Sequence, residues 1–198
     1  MRVVGGSLKR RALEAPEGLD VRPTSDRARE ALFNILEHRD GRPLKGALVL
    51  DVFAGSGALG IEALSRGAAH CTFIETLPQA LAAIRLNLGK LGLAGRATVI
   101  ARDATHPGTA IDGPTLPAGL VLLDPPYRSS LAAPALSSLL DGGWISSGAL
   151  ISIEVAAKEN FVAPEMFEVL DERRYGAARL VLAKAPGEAG PQPITSLT

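Results

Sequence analysis

The sequence predicts an α/β protein with a mostly parallel β-sheet that is covered by helices on both faces. Short apolar runs such as ALVLDVF at 47–53 and LVLLD at 120–124 alternate with segments in which apolar residues recur at helical spacing. Strands that are apolar on both sides are typical of parallel sheets buried between two layers. Four successive predicted strands also end in an acid: Asp51, Glu75, Asp103 and Asp124. Ligands bind beyond the carboxyl ends of parallel strands, so this row of acids predicts a site at that edge.

The first half of the chain opens with a basic segment. Residues 1–22 predict a basic arm that can include short strands. DRAREALFNILEH at 26–38 has the apolar spacing of a helix, with Thr24 or Ser25 as its cap. The elements that follow are a strand at 47–53, a helix around 60–67, a strand at 70–75 and a helix over 79–91.

The second half continues the alternation of strands and helices. The expected elements are strands at 97–103, 120–124 and 149–156, a loop at 106–119 and a helix at 130–140 that Pro134 begins or interrupts. FEVLDERRYGAARLVLAKA at 167–185 predicts two strands joined by a turn, and residues 186–198 predict a disordered tail. We therefore expect one domain over residues 1–185.

The composition excludes several classes of protein. Hydrophobic residues make up 46% of the 198 residues and charged residues 21%, which is typical of a globular protein. No apolar run reaches the roughly 18 residues of a membrane span, and the N-terminus lacks a signal-peptide core, so we expect a cytoplasmic protein without a membrane partner. One cysteine and three scattered histidines predict no metal site. The net charge of zero argues against non-specific coating of nucleic acid, and since no feature demands a dimer, we expect a monomer.

A glycine-rich loop follows the first of the apolar strands. DVFAGSGALG contains Gly55, Gly57 and Gly60 in the spacing G-x-G-x-x-G, and Glu75 follows about twenty residues later, which matches a dinucleotide-binding loop. Asp51 at the entrance of this loop would repel a pyrophosphate. S-adenosylmethionine carries no phosphate but has an ammonium group and a cationic sulfur, so an acid helps to bind it or to order the loop. Glu75 can then accept the ribose hydroxyls, and Asp103 the adenine amino group.

The strand at 120–124 runs into Asp124-Pro125-Pro126-Tyr127. The prolines have no N–H, so the turn offers mainly acceptors, and Tyr127 adds a flat face on which a base can stack. An exocyclic amino group of a nucleobase fits such a site. Acceptors can hold its hydrogens so that the nitrogen lone pair faces a sulfonium methyl, and Asp124 can take up the released proton.

These motifs together resemble a known family. D-x-F-A-G-S-G followed by D-P-P-Y resembles the class I SAM-dependent amino-methyltransferases. RVVGGSLKRR at 2–11, RPTSDRAREALFNIL at 22–36, DVFAGSGALGIEALSRGAA at 51–69 and LLDPPY at 122–127 are together similar to the RsmD family, over most of residues 1–185. That resemblance implies a Rossmann-like seven-stranded sheet whose last strand is antiparallel. It also implies methylation of the N2 amino group of one guanine in bacterial 16S rRNA, on an assembling small (30S) subunit.

The resemblance assigns roles to matching positions. The cofactor would contact Asp51, Ala54, Gly55, Gly57, Glu75 and Asp103, and the target base Asp124, Pro125, Pro126 and Tyr127. Arg22, Thr24, Asp26 and Arg27 would lie near the cofactor or the RNA side of the site. Leu77 departs from the family, which often has an acid at this position. The basic residues Arg2, Lys9, Arg10, Arg11 and Arg22 are either a solvated surface or phosphate contacts, and beside an RNA-modifying site we expect phosphate contacts.

Three other functions stay open at this point. A DNA adenine-N6 methyltransferase shares D-P-P-Y, although the chain has no evident room for a domain that reads base edges. A nicotinamide-dependent dehydrogenase shares the glycine spacing, although Asp51 and the lack of an acid/base partner count against it. A non-catalytic RNA-binding module could retain the same fold.

Overall fold

The computed structural model describes residues 1–16, 26–39, 43–110, 113–127 and 129–187, and of Arg27 only the backbone. Its centre is one seven-stranded sheet. The strands are β1 (Leu48–Val52), β2 (His70–Glu75), β3 (Ala97–Ala101), β4 (Ala118–Leu123), β5 (Ile145–Ala156), β6 (Glu168–Tyr175) and β7 (Ala178–Lys184). Their order is β3-β2-β1-β4-β5-β7-β6, and β7 runs antiparallel to both of its neighbours. The predicted mostly parallel sheet with an antiparallel last strand is confirmed.

In the described ranges, four α-helices cover the two faces of this sheet. They are α1 (Asp26–His38), α2 (Ala58–Ser65), α3 (Pro78–Leu91) and α4 (Ala132–Asp141). The apolar residues of α1, α2 and α3 pack on one face, and those of α4 pack on the other together with Trp144 and Phe167. Helices on both faces are thus confirmed. The second face has one α-helix among the described residues, because the β3–β4 connection is irregular where it is described.

Most predicted boundaries agree with the structure to within about two residues. Helix α2 begins at Ala58, two residues before the predicted start, and β5 begins at Ile145, four residues before. Pro134 lies in the first turn of α4 and does not interrupt it, because the first helical N–H groups need no partner within the helix. The predicted caps Thr24 and Ser25 and most of the predicted tail, 188–198, lie outside the described residues. One domain over 1–185 stays a prediction.

The chain reverses its direction across the sheet between β1 and β4. It proceeds outward from β1 through β2 to β3 and then returns to place β4 on the other side of β1. The β1–β4 ladder runs from Val49 opposite Leu120 to Val52 opposite Leu123. The residues that follow both strands therefore lie side by side at the carboxyl edge. In open α/β sheets this switch point is where ligands bind.

The N-terminal arm is a packed hairpin. Val3 donates its N–H to Arg11 O at 2.9 Å, Arg10 to Val3 O at 2.8 Å and Leu13 to Met1 O at 3.0 Å, with a short 3-10 helix at Gly6–Leu8. Val3 and Leu13 are buried in the core. Residues 1–16 are the part of the predicted arm that the structure describes, and they contain one isolated bridge, Arg2 with Ala12, and no regular strand.

A buried charge network connects this arm to α1 and α2. Arg29 on α1 is fully buried, and its Nη2 donates to Arg2 O at 2.6 Å and to Asp26 Oδ1 at 2.7 Å. Glu62 on α2 is also fully buried, 4.0 Å from Arg29 Nε, and accepts from Val4 N at 2.8 Å and Arg66 Nε at 2.7 Å. The network holds the arm beside the helix that starts at the glycine-rich loop.

No helix in the described part of the chain is both long and apolar enough to cross a membrane.

Candidate active site

The glycine-rich loop between β1 and α2 requires left-handed backbone at three positions. Phe53, Gly55 and Gly57 have φ angles of +59°, +56° and +78°. The N–H of Gly57 closes the turn on Ala54 O at 2.7 Å. A Cβ atom placed on Gly55 would meet no heavy atom nearer than 4.0 Å, so the backbone faces open space there. Such a surface lets a ligand approach the main chain closely.

Gly60 has a different role, because it lies in α2 against β2. A Cβ on Gly60 would come within 2.5 Å of Cys71 Sγ and would overlap the ring of Phe73. This glycine allows the helix and the strand to pack closely, as the third glycine of such loops does. Sulfur and ring are both buried, so they have little freedom to move away.

We expect Gly60→Ala to lower the free energy of unfolding by about 1–3 kcal/mol, the usual cost of overpacking. The matched control is Gly89→Ala in α3, where an added Cβ meets nothing within 4 Å. That change should be neutral or stabilising, since alanine favours helix. Urea denaturation measures both, and equal effects of the two substitutions would contradict the packing role.

Asp51 lies inside the sheet directly below this loop. Its side chain is 1% exposed, and Oδ2 accepts the N–H of Gly60 at 2.8 Å. Burial raises the pKa of Asp51 well above its usual value, against the bond from Gly60, and the nearby Asp124 and Glu75 raise the pKa further. Within the described part of the chain, the buried Oδ1 has no hydrogen-bond partner. Asp51 therefore orders the loop with one oxygen and keeps the other for a donor.

Glu75 at the end of β2 is bonded to the same loop from the other side. Its Oε2 accepts from Gly55 N at 2.8 Å, and Oε1 accepts from Thr76 N at 2.7 Å and Leu77 N at 3.0 Å. Leu77, at the position where the resembled family often has an acid, is 46% exposed. The carboxylate is thus held in place at the edge of the glycine-rich loop.

Asp103 follows β3 and is the most exposed of the four predicted acids. Its Oδ1 accepts from Thr105 N and Thr105 Oγ1, each at 2.8 Å, and these bonds lower the pKa of Asp103. Arg102 N donates to Glu75 O at 3.2 Å, so the ends of β2 and β3 are adjacent. Asp103 stays ionised and open to solvent beyond Glu75.

The Asp-Pro-Pro-Tyr turn lies beside the loop at the end of β4. Asp124 donates its N–H to Val52 O at 3.3 Å, which places its half-buried side chain next to β1. Pro125 is buried and Pro126 exposed, and Pro126 O accepts the N–H of Ser129 at 3.3 Å. The Asp124 carboxylate is the only charged acceptor of this turn.

The structure separates the predicted RNA-binding residues. Arg2 is exposed and pairs with Asp26 at 3.3 Å, at the start of α1. The hairpin turn contains Lys9, Arg10 and Arg11. Beside it, Leu8 N donates to Ser65 Oγ at 2.9 Å, and Arg11 Nη2 donates to Lys90 O at 3.3 Å. Ser65 ends α2, roughly 12 Å along the helix from the glycine-rich loop. Arg22 and Thr24 lie outside the described residues, as does the side chain of Arg27.

Two buried acids near the site escaped the sequence analysis. Glu154 on β5 accepts the hydroxyl of Tyr127 at 2.9 Å, and Glu62 on α2 lies in the charge network of the arm. The signal for both was available, because each is an acid inside an apolar stretch, ALISIEVA and GIEAL. Among the described residues no group of three or more His, Cys, Asp or Glu could hold a metal ion.

Comparison with known proteins agrees with this arrangement. A family model described as conserved hypothetical protein 95 matches residues 1–184. Ribosomal RNA small subunit methyltransferase D of Escherichia coli is 37% identical over 196 residues, which cover 96% of this chain and 93% of that protein. A putative rRNA methyltransferase of Bacillus subtilis is 40% identical over 141 residues, 71% of this chain and 74% of its own. The structure of a putative methyltransferase of Escherichia coli matches with a TM-score of 0.77 and 35% identity, covering 95% of this chain and 99% of that one.

The sheet order, the glycine-rich loop and the Asp-Pro-Pro-Tyr turn at the switch point define a class I methyltransferase whose cofactor is S-adenosyl-L-methionine. The residues present fit that cofactor, because the orphaned Oδ1 of Asp51 suits its ammonium group and Gly55 leaves space above the loop. Within this class, the chain belongs to the RsmD family.

Proposed function

We propose that the protein methylates the N2 amino group of a guanine in bacterial small-subunit (16S) rRNA, using S-adenosyl-L-methionine. The observation that carries the proposal is the Asp-Pro-Pro-Tyr turn directly beside the glycine-rich loop, joined by the bond from Asp124 N to Val52 O. The fold and this turn support transfer to an amino group. The names of the Escherichia coli and Bacillus subtilis relatives support rRNA as the substrate.

Three acids and the loop would hold the cofactor, which supplies an electrophilic methyl group. Asp51 Oδ1 would accept a hydrogen bond from the ammonium group of the cofactor. Glu75 would accept hydrogen bonds from the ribose hydroxyls, and Asp103 from the adenine amino group. Ala54, Gly55 and Gly57 provide the main-chain surface, and Thr24 contacts the cofactor from the segment before α1. Support comes from the placement of Asp51, Glu75 and Asp103 at or near the carboxyl ends of three adjacent strands.

The turn after β4 would hold the target base. Asp124 accepts a hydrogen of the amino group, which favours a pyramidal nitrogen whose lone pair points at the methyl group. The amino group must lose a proton when it takes up the methyl group that the cofactor would supply, and Asp124 would accept that proton directly or through water. Pro125 and Pro126 keep competing N–H donors away, and the ring of Tyr127 stacks on the base.

The RNA would lie across the carboxyl edge of the sheet. The target guanine must be unstacked to reach Asp124, since a duplex hides its bases. We propose phosphate contacts for Arg2, which pairs with Asp26 at the start of α1, and for Arg22 and Arg27. We propose further phosphate contacts for Lys9, Arg10 and Arg11, at a distance that only a large substrate spans. An assembling 30S particle is such a substrate. We further propose that the enzyme acts as a monomer in the cytoplasm.

Asp51→Asn should make the cofactor-free protein more stable and its cofactor affinity lower. Burial raises the pKa of Asp51 in the folded protein above its value of about 3.8 in the unfolded chain. The free energy of unfolding therefore falls as the pH rises above 3.8, because the buried carboxyl must then ionise. Asparagine removes that charge and still accepts from Gly60. We expect the variant to have a higher melting temperature than the wild type at pH 7, and this difference should disappear at low pH. We also expect its affinity for SAM to be about tenfold lower or more. Calorimetry measures both, and tighter SAM binding would contradict the assignment to the ammonium.

Substrate competition tests the proposed function. Labelled methyl transfer from SAM is compared for small subunits, free 16S rRNA and duplex DNA. We expect label in the rRNA and none in the DNA. Label in DNA alone would replace the proposal by a DNA adenine methyltransferase, and absence of any SAM-induced rise in melting temperature would indicate a non-catalytic RNA-binding module.

A further inference from the structure

Glu154 is a buried acid to which the proposed reaction gives no role. It lies near the end of β5, in the mostly apolar stretch ALISIEVA, and is 8% exposed. Burying a carboxyl group is costly unless hydrogen bonds hold it. Its presence in a core strand therefore indicates a specific partner.

The register of the sheet brings this acid to the active site. In the β4–β5 ladder, Leu122 lies opposite Ser152 and Leu123 opposite Ile153. The next step places Glu154 level with Asp124, at the same carboxyl edge. Glu154 thus lies next to the turn that would receive the base.

One partner of Glu154 is the aromatic residue of that turn. Tyr127 donates its hydroxyl to Glu154 Oε1 at 2.9 Å. The other end of Tyr127 is restrained by the backbone, because Pro125 and Pro126 limit the turn and Ser129 N bonds Pro126 O. With both the main chain and the hydroxyl held, little rotation remains for the ring.

We infer that Glu154 is a positioning residue that fixes the ring of Tyr127 in the orientation in which it stacks on the target base. The inference rests on the proposed function, since it gives the ring a base to stack on. A ring that is already ordered costs less conformational entropy when the base arrives. The ordered ring also keeps the base level with Asp124. This matters because the rate of methyl transfer is sensitive to small displacements of the base.

Fluorine NMR tests the anchor without using activity. The chain has two tyrosines, Tyr127 and Tyr175, so labelling with 3-fluorotyrosine gives two resonances that Tyr175→Phe assigns. Glu154→Ala should shift or broaden the Tyr127 resonance and leave that of Tyr175 in place. Glu168→Ala, which removes an exposed acid at the start of β6, is the control and should change neither resonance. An unchanged Tyr127 resonance in Glu154→Ala would overturn the inference.

Kinetics with rRNA test the consequence. Glu154→Ala should lower kcat/KM for RNA about tenfold, within the range produced by losing a base–aromatic stack, at unchanged SAM affinity. Glu154→Gln keeps an acceptor for the hydroxyl and should restore most of that loss. Once Tyr127→Phe has removed the hydroxyl, adding Glu154→Ala should cost little more. A Gln variant as impaired as the Ala variant, or fully additive losses, would overturn the positioning role, whereas an inactive wild-type protein would instead refute the proposed function.

Discussion

Replacing Asp124 by alanine should lower the single-turnover rate of methyl transfer by about 100-fold or more while SAM still binds. Asp124 carries the only carboxylate of a turn whose prolines have no N–H. Without it, the amino group of the base is not oriented and has no group in the turn to accept its proton. The cofactor contacts proposed above come from β1 and the glycine-rich loop, the end of β2, the residues after β3 and the segment before α1, and they do not include Asp124. Rapid-quench kinetics at saturating SAM and rRNA, with calorimetry of SAM binding, measure the two effects separately.

A second acid at the same edge serves as the control. Asp103→Ala removes an exposed carboxylate after β3 that we assign to the adenine, so it should weaken SAM binding and leave the rate at saturating SAM close to wild type. Asp124→Asn retains an oxygen acceptor, so its single-turnover rate should lie between that of the wild type and that of Asp124→Ala. Full activity of Asp124→Ala, or loss of SAM binding equal to the loss of rate, would contradict the assignment.

Glu62→Ala should lower the free energy of unfolding by about 3–5 kcal/mol, the usual cost of removing one member of a buried ion pair. Glu62 is the carboxylate that faces the fully buried Arg29, whose Nε and Nη1 make no hydrogen bond with any described residue. The same carboxylate holds the arm through Val4 N and helix α2 through Arg66. A loss of this size is a large part of the stability of a single domain. Urea denaturation at pH 7 measures it.

The network contains its own control at the surface. Glu37 pairs with Arg66 at 3.0 Å, but its side chain is 41% exposed, so Glu37→Ala should cost about 1 kcal/mol at most. The double variant Arg29→Met with Glu62→Leu should recover most of the stability, because no buried charge is then left unpaired. A loss in Glu62→Ala no greater than that in Glu37→Ala would show that the buried pair contributes little.

The elements at the site were predictable because each has a local signal. Apolar runs that end in acids identified β1, β2 and β4, and the spacing of Gly55, Gly57 and Gly60 identified the loop. The placement of Asp51 and Asp124 at the same edge of the sheet also followed, since the carboxyl ends of parallel strands meet there. The family resemblance implied seven strands with the last one antiparallel, but the order of the strands was not predicted, because no local pattern encodes which strand lies beside β1.

Hydrogen bonds between residues that are far apart in the chain could not be predicted from the sequence. Glu154 and Tyr127 are separated by 27 positions and Val4 and Glu62 by 58, so their bonds depend on how the sheet assembles. The basic arm shows the same limit. Its charges are evident, but the hairpin that turns Lys9, Arg10 and Arg11 toward the far end of α2 depends on contacts with Ser65 and Lys90.

The identity of the methylated nucleoside tests the central claim most directly. Small subunits from cells that lack this modification are incubated with the protein and labelled SAM, and the rRNA is digested to nucleosides and mapped by mass spectrometry. The account predicts N2-methylguanosine at a single position, absent with Asp124→Ala. N6-methyladenosine, or label on no amino group, would contradict it.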